Sequence, residues 1–249
     1  MKAIIEYNSR KIEIDVSEPI DISIAIDAGK QNVTSWDMEQ PRIFPEKRGK
    51  QIIHVAQGAS INVNSIHFTP HSHITHTECV GHISDEIYSV NKQLKHYFFV
   101  AEVVTVAPEE IDGDFVISEK QLRIALKNKK RDAIVIRTIP NLNEKKSIDY
   151  SGTNPTYLLP ETSEYLKEKG IKHLLIDLPS VDKEVNDGSL PVHNSFWNTQ
   201  GEIRYDATIT ELIYVPNHVE DGEYLLNLMV APFENDATPS KPILYKILK

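Results

Sequence analysis

The sequence of 249 residues contains a single cysteine, Cys79. One cysteine cannot form a disulfide within the chain, so nothing in the composition calls for an oxidising compartment. The N-terminal segment alternates apolar and polar residues, unlike the apolar core of a signal peptide. No apolar run approaches the ~18 residues that a membrane span needs. We therefore expect a cytoplasmic protein without a membrane partner.

The sequence also lacks an excess of positive charge. It has 27 Lys and Arg against 36 Asp and Glu, and a formal net charge of -9. Nucleic-acid binding depends on clustered cations that neutralise phosphates. The one basic cluster, residues 127–131, lies at the end of a predicted helix, where cations suit the helix dipole. We expect no nucleic-acid partner.

The first half of the chain is predicted to be rich in β-strands. Hydrophobic residues make up 40% of the chain and no internal repeat or linker is visible, which favours one domain over residues 1–249. Short alternating or β-branched runs predict strands over residues 3–7, 11–16, 20–26, 51–55, 60–68 and 97–106.

The second half alternates predicted strands with predicted helices. Ser118 and Gln121 form a capping box that opens a helix, and a second helix follows Pro160 and ends at Gly170. A strand–helix–strand order predicts an α/β unit. The predicted strands of this half are residues 132–138, 171–179, 207–215 and 224–230.

Residues 71–82, HSHITHTECVGH, hold four of the ten histidines, one glutamate and the only cysteine. Their β-branched neighbours predict an extended backbone, on which His76 and Glu78 share one face. An imidazole beside a carboxylate is a ligand pair suited to Zn²⁺ or Mn²⁺. His71 and His73 have the wrong parity to join this face unless a bulge or turn intervenes.

An HxH-x4-E spacing also occurs in cupin metal sites, and His71, His73 and Glu78 fit it. The flanking glycines of that motif are absent, since Ser65 and Asp85 occupy their positions. No second cupin motif follows. A cupin is therefore the weaker interpretation.

Thr75-His76-x-Glu78-x-x-x-His82 resembles the second half of the motif His-x-Gly-Thr-His-x-Asp-x-Pro-x-His of the cyclase superfamily of metal-dependent hydrolases. That family includes kynurenine formamidase and isatin hydrolase. The resemblance implies a swivelling β/β/α fold and a homodimer or larger homo-oligomer. Further matches occur in the family's order at residues 20–23 (IDIS), 178–182 (LPSVD), 191–193 (PVH) and 210–212 (TEL).

The resemblance implies a metal held by His71, His76 and Glu78, with His193 and Glu211 completing or sharing a second site. Several departures mark a divergent member. Glutamate stands at 78 for aspartate, the proline of the motif is absent, and the interval from His193 to Glu211 is several residues longer than in the formamidases. Counting back four from His76 also gives Ser72 in place of the first histidine. His71 becomes the first ligand only with a one-residue insertion, and His73 is the alternative ligand.

The implied reaction is hydrolysis of a C–N bond in an amide, formamide or lactam, with a metal-activated water as the nucleophile. His82 resembles the family's proton-transfer histidine, and an imidazole can move protons near neutral pH. Phe196 and Trp197 follow His193 and are candidates for an apolar substrate pocket, with core packing as the alternative. A competing hypothesis is a metal- or ligand-binding protein on the same fold that has lost turnover.

Overall fold

The computed structural model describes residues 1–27 and 29–248. Its β-strands are β1 (Lys2–Tyr7), β2 (Arg10–Asp15), β3 (Ile20–Asp21), β4 (Arg42–Pro45), β5 (Lys47–Arg48), β6 (Gln51–Ile52), β7 (Asn64–His67), β8 (His76–Glu78), β9 (Phe98–Val106), β10 (Glu109–Ile111), β11 (Asp114–Ile117), β12 (Ala133–Thr138), β13 (Tyr157–Leu158), β14 (His173–Ile176), β15 (Thr208–Glu211), β16 (Gly222–Val230) and β17 (Ala237–Lys246).

The α-helices are short. They are α1 (Pro70–His73), α2 (Val90–Gln93), α3 (Glu119–Leu126), α4 (Pro160–Glu168) and α5 (Pro191–Trp197). Three further turns are 3₁₀-helical, over Val55–Gln57, Val80–Ile83 and Asn143–Lys146. Among the described residues, no helix is long and apolar enough to cross a membrane.

Seven strands close a barrel in the order β16, β9, β12, β14, β15, β8 and β17, with β17 returning to pair with β16. The strands β9, β12, β14 and β15 are mutually parallel. Such strands need crossover connections, and α3, α4 and α5 lie in the three connections between them. The capping box of Ser118 and Gln121 opens α3 as predicted.

The central barrel strands β12 and β14 are buried on both faces, as their nearly continuous apolar sequences predict. In β12, Ile134 and Ile136 pack in the cluster that includes Leu166 of α4. Val135 points the other way, into the cluster that includes Leu226 of β16. Because two cores sandwich the sheet, a polar side chain on either face is held in place by its neighbours.

The predicted α/β class and the β-rich first half are confirmed, and most predicted strands have a counterpart. The largest omission is β17, which closes the barrel. Its two prolines, Pro239 and Pro242, lack N–H donors and argue against a strand in the sequence. In the structure their carbonyls accept hydrogen bonds from Ala231 (2.9 Å) and Ile22 (3.2 Å). The helix α5 was also not predicted.

Candidate metal centre

The histidine-rich segment folds as three pieces with different backbones. The helical turn α1 carries His71, the extended β8 carries His76 and Glu78, and the 3₁₀ turn Val80–Ile83 carries His82. The irregular backbone that the parity of His71 required is therefore present. On β8, Thr77 points to the opposite face, where its hydroxyl lies 2.8 Å from that of Thr210.

His71, His76 and Glu78 converge as the sequence predicts. Oε2 of Glu78 lies 3.2 Å from Nδ1 of His71 and 4.0 Å from Nε2 of His76. The three ligand atoms all lie within 4.8 Å of one another. His76 and Glu78 are fully buried, so their positions are set by the surrounding core.

Antiparallel pairing with β8 brings Glu211 to this group. In the register of β15 and β8, Glu211 is directly opposite His76, and its Oε2 lies 3.4 Å from Nε2 of that histidine. The other oxygen, Oε1, accepts a hydrogen bond from the backbone N–H of Val181 (2.9 Å). The backbone thus holds one oxygen of the Glu211 carboxylate, and the other oxygen faces Nε2 of His76.

The helix α5 places His193 beside Glu78. Nε2 of His193 lies 3.1 Å from Oε1 of Glu78 and 4.0 Å from Oε1 of Glu211. Nδ1 of His193 lies 2.6 Å from Oδ2 of Asp182. The backbone N–H groups of Val192 and His193 also donate to the Asp182 carboxylate. Asp182 thus fixes the start of α5 and also orients the imidazole of His193.

Asp236, at the loop before β17, is a member of the site that the sequence did not reveal. Its Oδ2 lies 2.9 Å from Nε2 of His71 and 3.3 Å from Nδ1 of His82. The two imidazole rings stack, with centroids 4.2 Å apart. Because 165 and 154 positions separate Asp236 from these histidines, no local spacing could have pointed to it.

His82 lies between the ligands and the open side of the site. Its Nε2 is 3.9 Å from Oε2 of Glu78, and 30% of its side chain is exposed. Gly81 lies directly before His82. A Cβ at this position would collide with the backbone carbonyl of Tyr88, so the close approach of the two segments requires glycine.

His73 points away from the cluster. It lines a separate cavity with Glu39, Arg42 and His67, and its Nδ1 accepts a hydrogen bond from the N–H of Thr69 (2.9 Å). The structure therefore brings His71 to the other candidate ligands and does not bring His73.

The prediction that Phe196 and Trp197 line a substrate pocket is corrected by their placement. Both are fully buried in the core between the sheet and the helices. Nε1 of Trp197 donates to the carbonyl of Ala207 (3.1 Å), and its ring packs 5.5 Å from that of His193. Trp197 therefore packs behind His193, and Phe196 belongs to the same buried core.

A cavity of about 340 Å³ opens onto the cluster. Trp36 lines it with its backbone in the left-handed region (φ 64°), an uncommon conformation for a bulky residue. Such strained residues concentrate at functional sites. The cavity wall combines apolar and polar side chains around the histidines, among them Trp36, Met38, His71, His82, Lys183, Leu190, His193 and Glu211.

The electrostatics of the cluster couple the imidazoles to the carboxylates. Burial alone would lower the pKa of His193, but the carboxylates of Asp182 and Glu78 raise it to about 10. Burial likewise opposes protonation of His71, and Asp236 and Glu78 raise its pKa to about 10. Burial raises the pKa of Glu78, yet His82, His193 and His71 bring it well below its usual value. The cluster therefore favours positive charge beside its carboxylates.

Two buried atoms show that a cation fits this site. Among the described residues, Nε2 of His76 and Oε2 of Glu78 are buried without a hydrogen-bond partner. A buried polar atom left unpaired is costly, typically by about 1–3 kcal/mol. A metal ion bound by both atoms would remove that cost, and nitrogen with carboxylate oxygen is a donor set suited to Zn²⁺ or Mn²⁺.

Known proteins resemble this chain along most of its length. The kynurenine formamidase of Bacillus cytotoxicus is 25% identical over 233 residues, which cover 93% of this chain and 96% of that protein. Isatin hydrolase A from Labrenzia aggregata, solved with benzyl benzoate, superposes with a TM-score of 0.67 at 11% identity, covering 92% of this chain and 94% of that one. A predicted metal-dependent hydrolase from Bacillus stearothermophilus has a TM-score of 0.63 at 14% identity, covering 92% and 98%.

These structural likenesses confirm the cyclase-like fold. The model of the Cyclase family (Putative cyclase) matches residues 15–183, which is more than half of the chain. The resemblance that the histidine motif indicated is thereby confirmed, and the chain belongs to the Cyclase family.

Proposed function

We propose that this protein is a metal-dependent hydrolase that cleaves a C–N bond of a small amide, formamide or lactam. The observation that carries the proposal is a pair of buried ligand atoms, Nε2 of His76 and Oε2 of Glu78, that make no hydrogen bond. They lie next to His71, His193 and Glu211, which line an open cavity. The relatives support the same reaction type, because one is a kynurenine formamidase and another an isatin hydrolase.

His71, His76 and Glu78 would hold one divalent ion, Zn²⁺ or Mn²⁺, through atoms that already lie within 4.8 Å of one another. His193 and Glu211 complete this site or share a second one across Glu78. When bound, such an ion lowers the pKa of a water molecule towards ~7 and polarises a carbonyl group.

His82 is proposed as the group that transfers protons. Its Nδ1 faces the carboxylate of Asp236 (3.3 Å), which stabilises a proton on that nitrogen. Nε2 then remains free to accept a proton and to donate it to the leaving nitrogen. The side chain lines the cavity and is partly exposed, so a substrate can reach it. General acid–base catalysis needs a group that lies close to the substrate and can both accept and donate a proton.

The substrate contacts are proposed to come from Trp36, Met38 and Leu190 instead of the buried aromatic pair on α5. These side chains form the apolar part of the cavity wall. A volume of about 340 Å³ lies at the small end of the range for ligand pockets. A flat indole surface offers stacking area to a planar group. The site therefore suits a small molecule with one compact apolar or aromatic portion.

Turnover against a substrate panel tests the proposal. The protein, loaded with Zn²⁺ or with Mn²⁺, is assayed with aryl formamides, cyclic amides and the corresponding esters. We expect metal-dependent hydrolysis of at least one C–N substrate, abolished by chelator and by His76→Ala. His218→Ala, at an exposed position, is the matched control and should leave the rate unchanged. Full metal loading without turnover on any C–N substrate would contradict the proposal.

A further inference from the structure

Another cavity, of about 450 Å³, lies at the end of the barrel opposite the metal centre, and we call it the basal cavity. Glu211 is the last residue of β15, whereas the basal cavity is lined by His173 and Phe98, the first residues of β14 and β9. These strands run parallel, so their first residues lie together at the opposite edge of the sheet from Glu211. The basal cavity shares no lining residue with the cavity at the metal centre.

His173 gives the basal cavity a nearly buried polar group that is only half paired. The residue is 2% exposed, and its Nδ1 lies 2.9 Å from the hydroxyl oxygen of Thr208. Within the described part of the chain, no residue forms a hydrogen bond with Nε2. Burial lowers the pKa of His173 to about 3, so the ring is neutral at neutral pH. A hydroxyl group both donates and accepts, so it can pair with Nε2 in either tautomer of the ring.

Two phenylalanine side chains form the apolar part of the wall. Phe99 is 8% exposed and packs against the ring of His173, with centroids 3.9 Å apart. Phe98 also lines the cavity, yet 59% of it remains exposed. An aromatic ring in the cavity would cover this surface and contact the phenylalanines in the stacked or edge-on arrangements that aromatic pairs prefer.

The charged groups of the wall favour an anion. Asp132 is already paired, because its carboxylate accepts hydrogen bonds from the hydroxyl of Tyr7 (2.8 Å) and from the backbone N–H of Val100 (2.9 Å). Asp206 is paired with Lys172. Lys95, by contrast, makes no ion pair or side-chain hydrogen bond with any residue that the structure describes. An ammonium group without a partner suits a carboxylate, since charge-assisted hydrogen bonds are the stronger kind.

We propose that the basal cavity binds a small aromatic carboxylate that carries a hydroxyl group on its ring. The ring lies against Phe98 and Phe99. The carboxylate lies beside Lys95, and the hydroxyl group hydrogen-bonds Nε2 of His173. A volume of about 450 Å³ falls within the range of small-molecule sites, roughly 300–1,000 Å³. This site is independent of the hydrolysis proposed above, because it uses none of the residues of the metal centre.

Titration calorimetry with benzoate and the isomers of hydroxybenzoate tests the site in the full-length protein. Carboxylates are also metal ligands, so the protein is titrated as purified and again after treatment with chelator. We expect saturable binding in both samples. At least one hydroxybenzoate should bind about fivefold more tightly than benzoate, which is the usual contribution of one neutral hydrogen bond. Benzamide, which has the same shape without the charge, should bind more weakly than benzoate.

Exposed side chains locate the site without disturbing the core. Lys95→Met should weaken binding of the tightest hydroxybenzoate by about tenfold, as expected for a lost hydrogen bond to a charged group. Phe98→Ser should weaken it by about threefold or more through the lost ring contact. Lys120→Met and Phe115→Ser are matched controls at other exposed positions and should bind like wild type.

Nitrogen NMR of isotopically labelled histidine reports on the hydroxyl contact. The Nε2 resonance that is missing from His173→Asn should shift when the tightest hydroxybenzoate saturates wild type, and it should shift less with benzoate. No saturable binding of any isomer, or binding that Lys95→Met and Phe98→Ser leave unchanged, would overturn the basal site. Equal affinity for benzoate and every hydroxybenzoate, with an unmoved His173 resonance, would overturn the proposed ligand class.

Discussion

The carboxylate of Asp182 lies 2.6 Å from Nδ1 of His193 and also accepts the backbone N–H of the same residue. One acidic side chain thus fixes both the first turn of α5 and the orientation of the imidazole. Nε2 of His193 is consequently directed at Glu78. Asp182 therefore binds the backbone of the helix that carries His193 as well as the His193 side chain.

Asp182→Asn should weaken metal binding while leaving the fold intact. Outer partners of metal ligands typically contribute about 10–100-fold to metal affinity, because they orient the ring and raise its basicity. Titration calorimetry of the metal-free protein measures the loss. Asp187→Asn, at an exposed loop position, is the control and should bind metal like wild type. Unchanged metal affinity in Asp182→Asn would show that the Asp182 carboxylate stabilises only the start of α5 and has no effect on metal binding.

His71→Ala should lose metal, and His73→Ala should keep most of it. Only His71 shares a metal-sized space with His76 and Glu78, whereas His73 lines a different cavity. Elemental analysis after purification without chelator measures both proteins. Metal retained in His71→Ala and lost in His73→Ala would mean that His73, and not His71, is the metal ligand.

His82→Ala should retain its metal and its thermal unfolding temperature while losing hydrolytic rate by about 10²–10⁴-fold, the usual contribution of acid–base catalysis. Parallel measurement of metal content and kcat distinguishes the two possible roles, because Nε2 of His82 lies 3.9 Å from the Glu78 carboxylate. An emptied site would identify His82 as a ligand. Intact turnover would assign proton transfer to another group.

His173, on β14, should make the protein less stable as the pH falls. Burial lowers its folded-state pKa to about 3, and the ring packs against Phe99 with centroids 3.9 Å apart. An unfolded histidine has a pKa of about 6.5. Between these values the unfolded chain binds a proton that the folded protein does not, so stability is lost as pH falls through this window.

The expected loss at pH 5 relative to pH 8 is about 2 kcal/mol from this one group. His173→Asn removes it, so the difference in free energy of unfolding between wild type and variant should shrink by that amount. Urea unfolding in chelator measures both proteins, since the metal ligands then titrate alike in each. If the difference in free energy of unfolding between wild type and His173→Asn does not change with pH, the lowered pKa of His173 is contradicted.

The local half of the site could be predicted from the sequence because its residues are close together in the chain. The alternation of a strand places His76 and Glu78 on one face, and the required break between residues 71 and 76 appears as α1. Capping residues and apolar runs likewise predicted α3 and the parallel strands, since these depend on nearby side chains.

The rest depends on contacts between distant segments. Asp236 joins His71 only because the strand β17 pairs with β8, and the prolines of β17 conceal that strand in the sequence. The inward direction of Phe196 and Trp197 follows from the placement of α5 against the sheet. No spacing within residues 191–197 distinguishes a cavity wall from a core.

The most direct test of metal-dependent hydrolysis is the initial rate measured during titration of metal-free protein with Zn²⁺ or Mn²⁺. The substrate is the one that turns over best in the panel, and bound metal is counted in the same samples. We predict that the rate rises in proportion to occupancy of the site formed by His71, His76 and Glu78, and that His76→Ala shows neither binding nor rate. A rate that is already full in metal-free protein, or that stays at zero at full occupancy, would contradict the account.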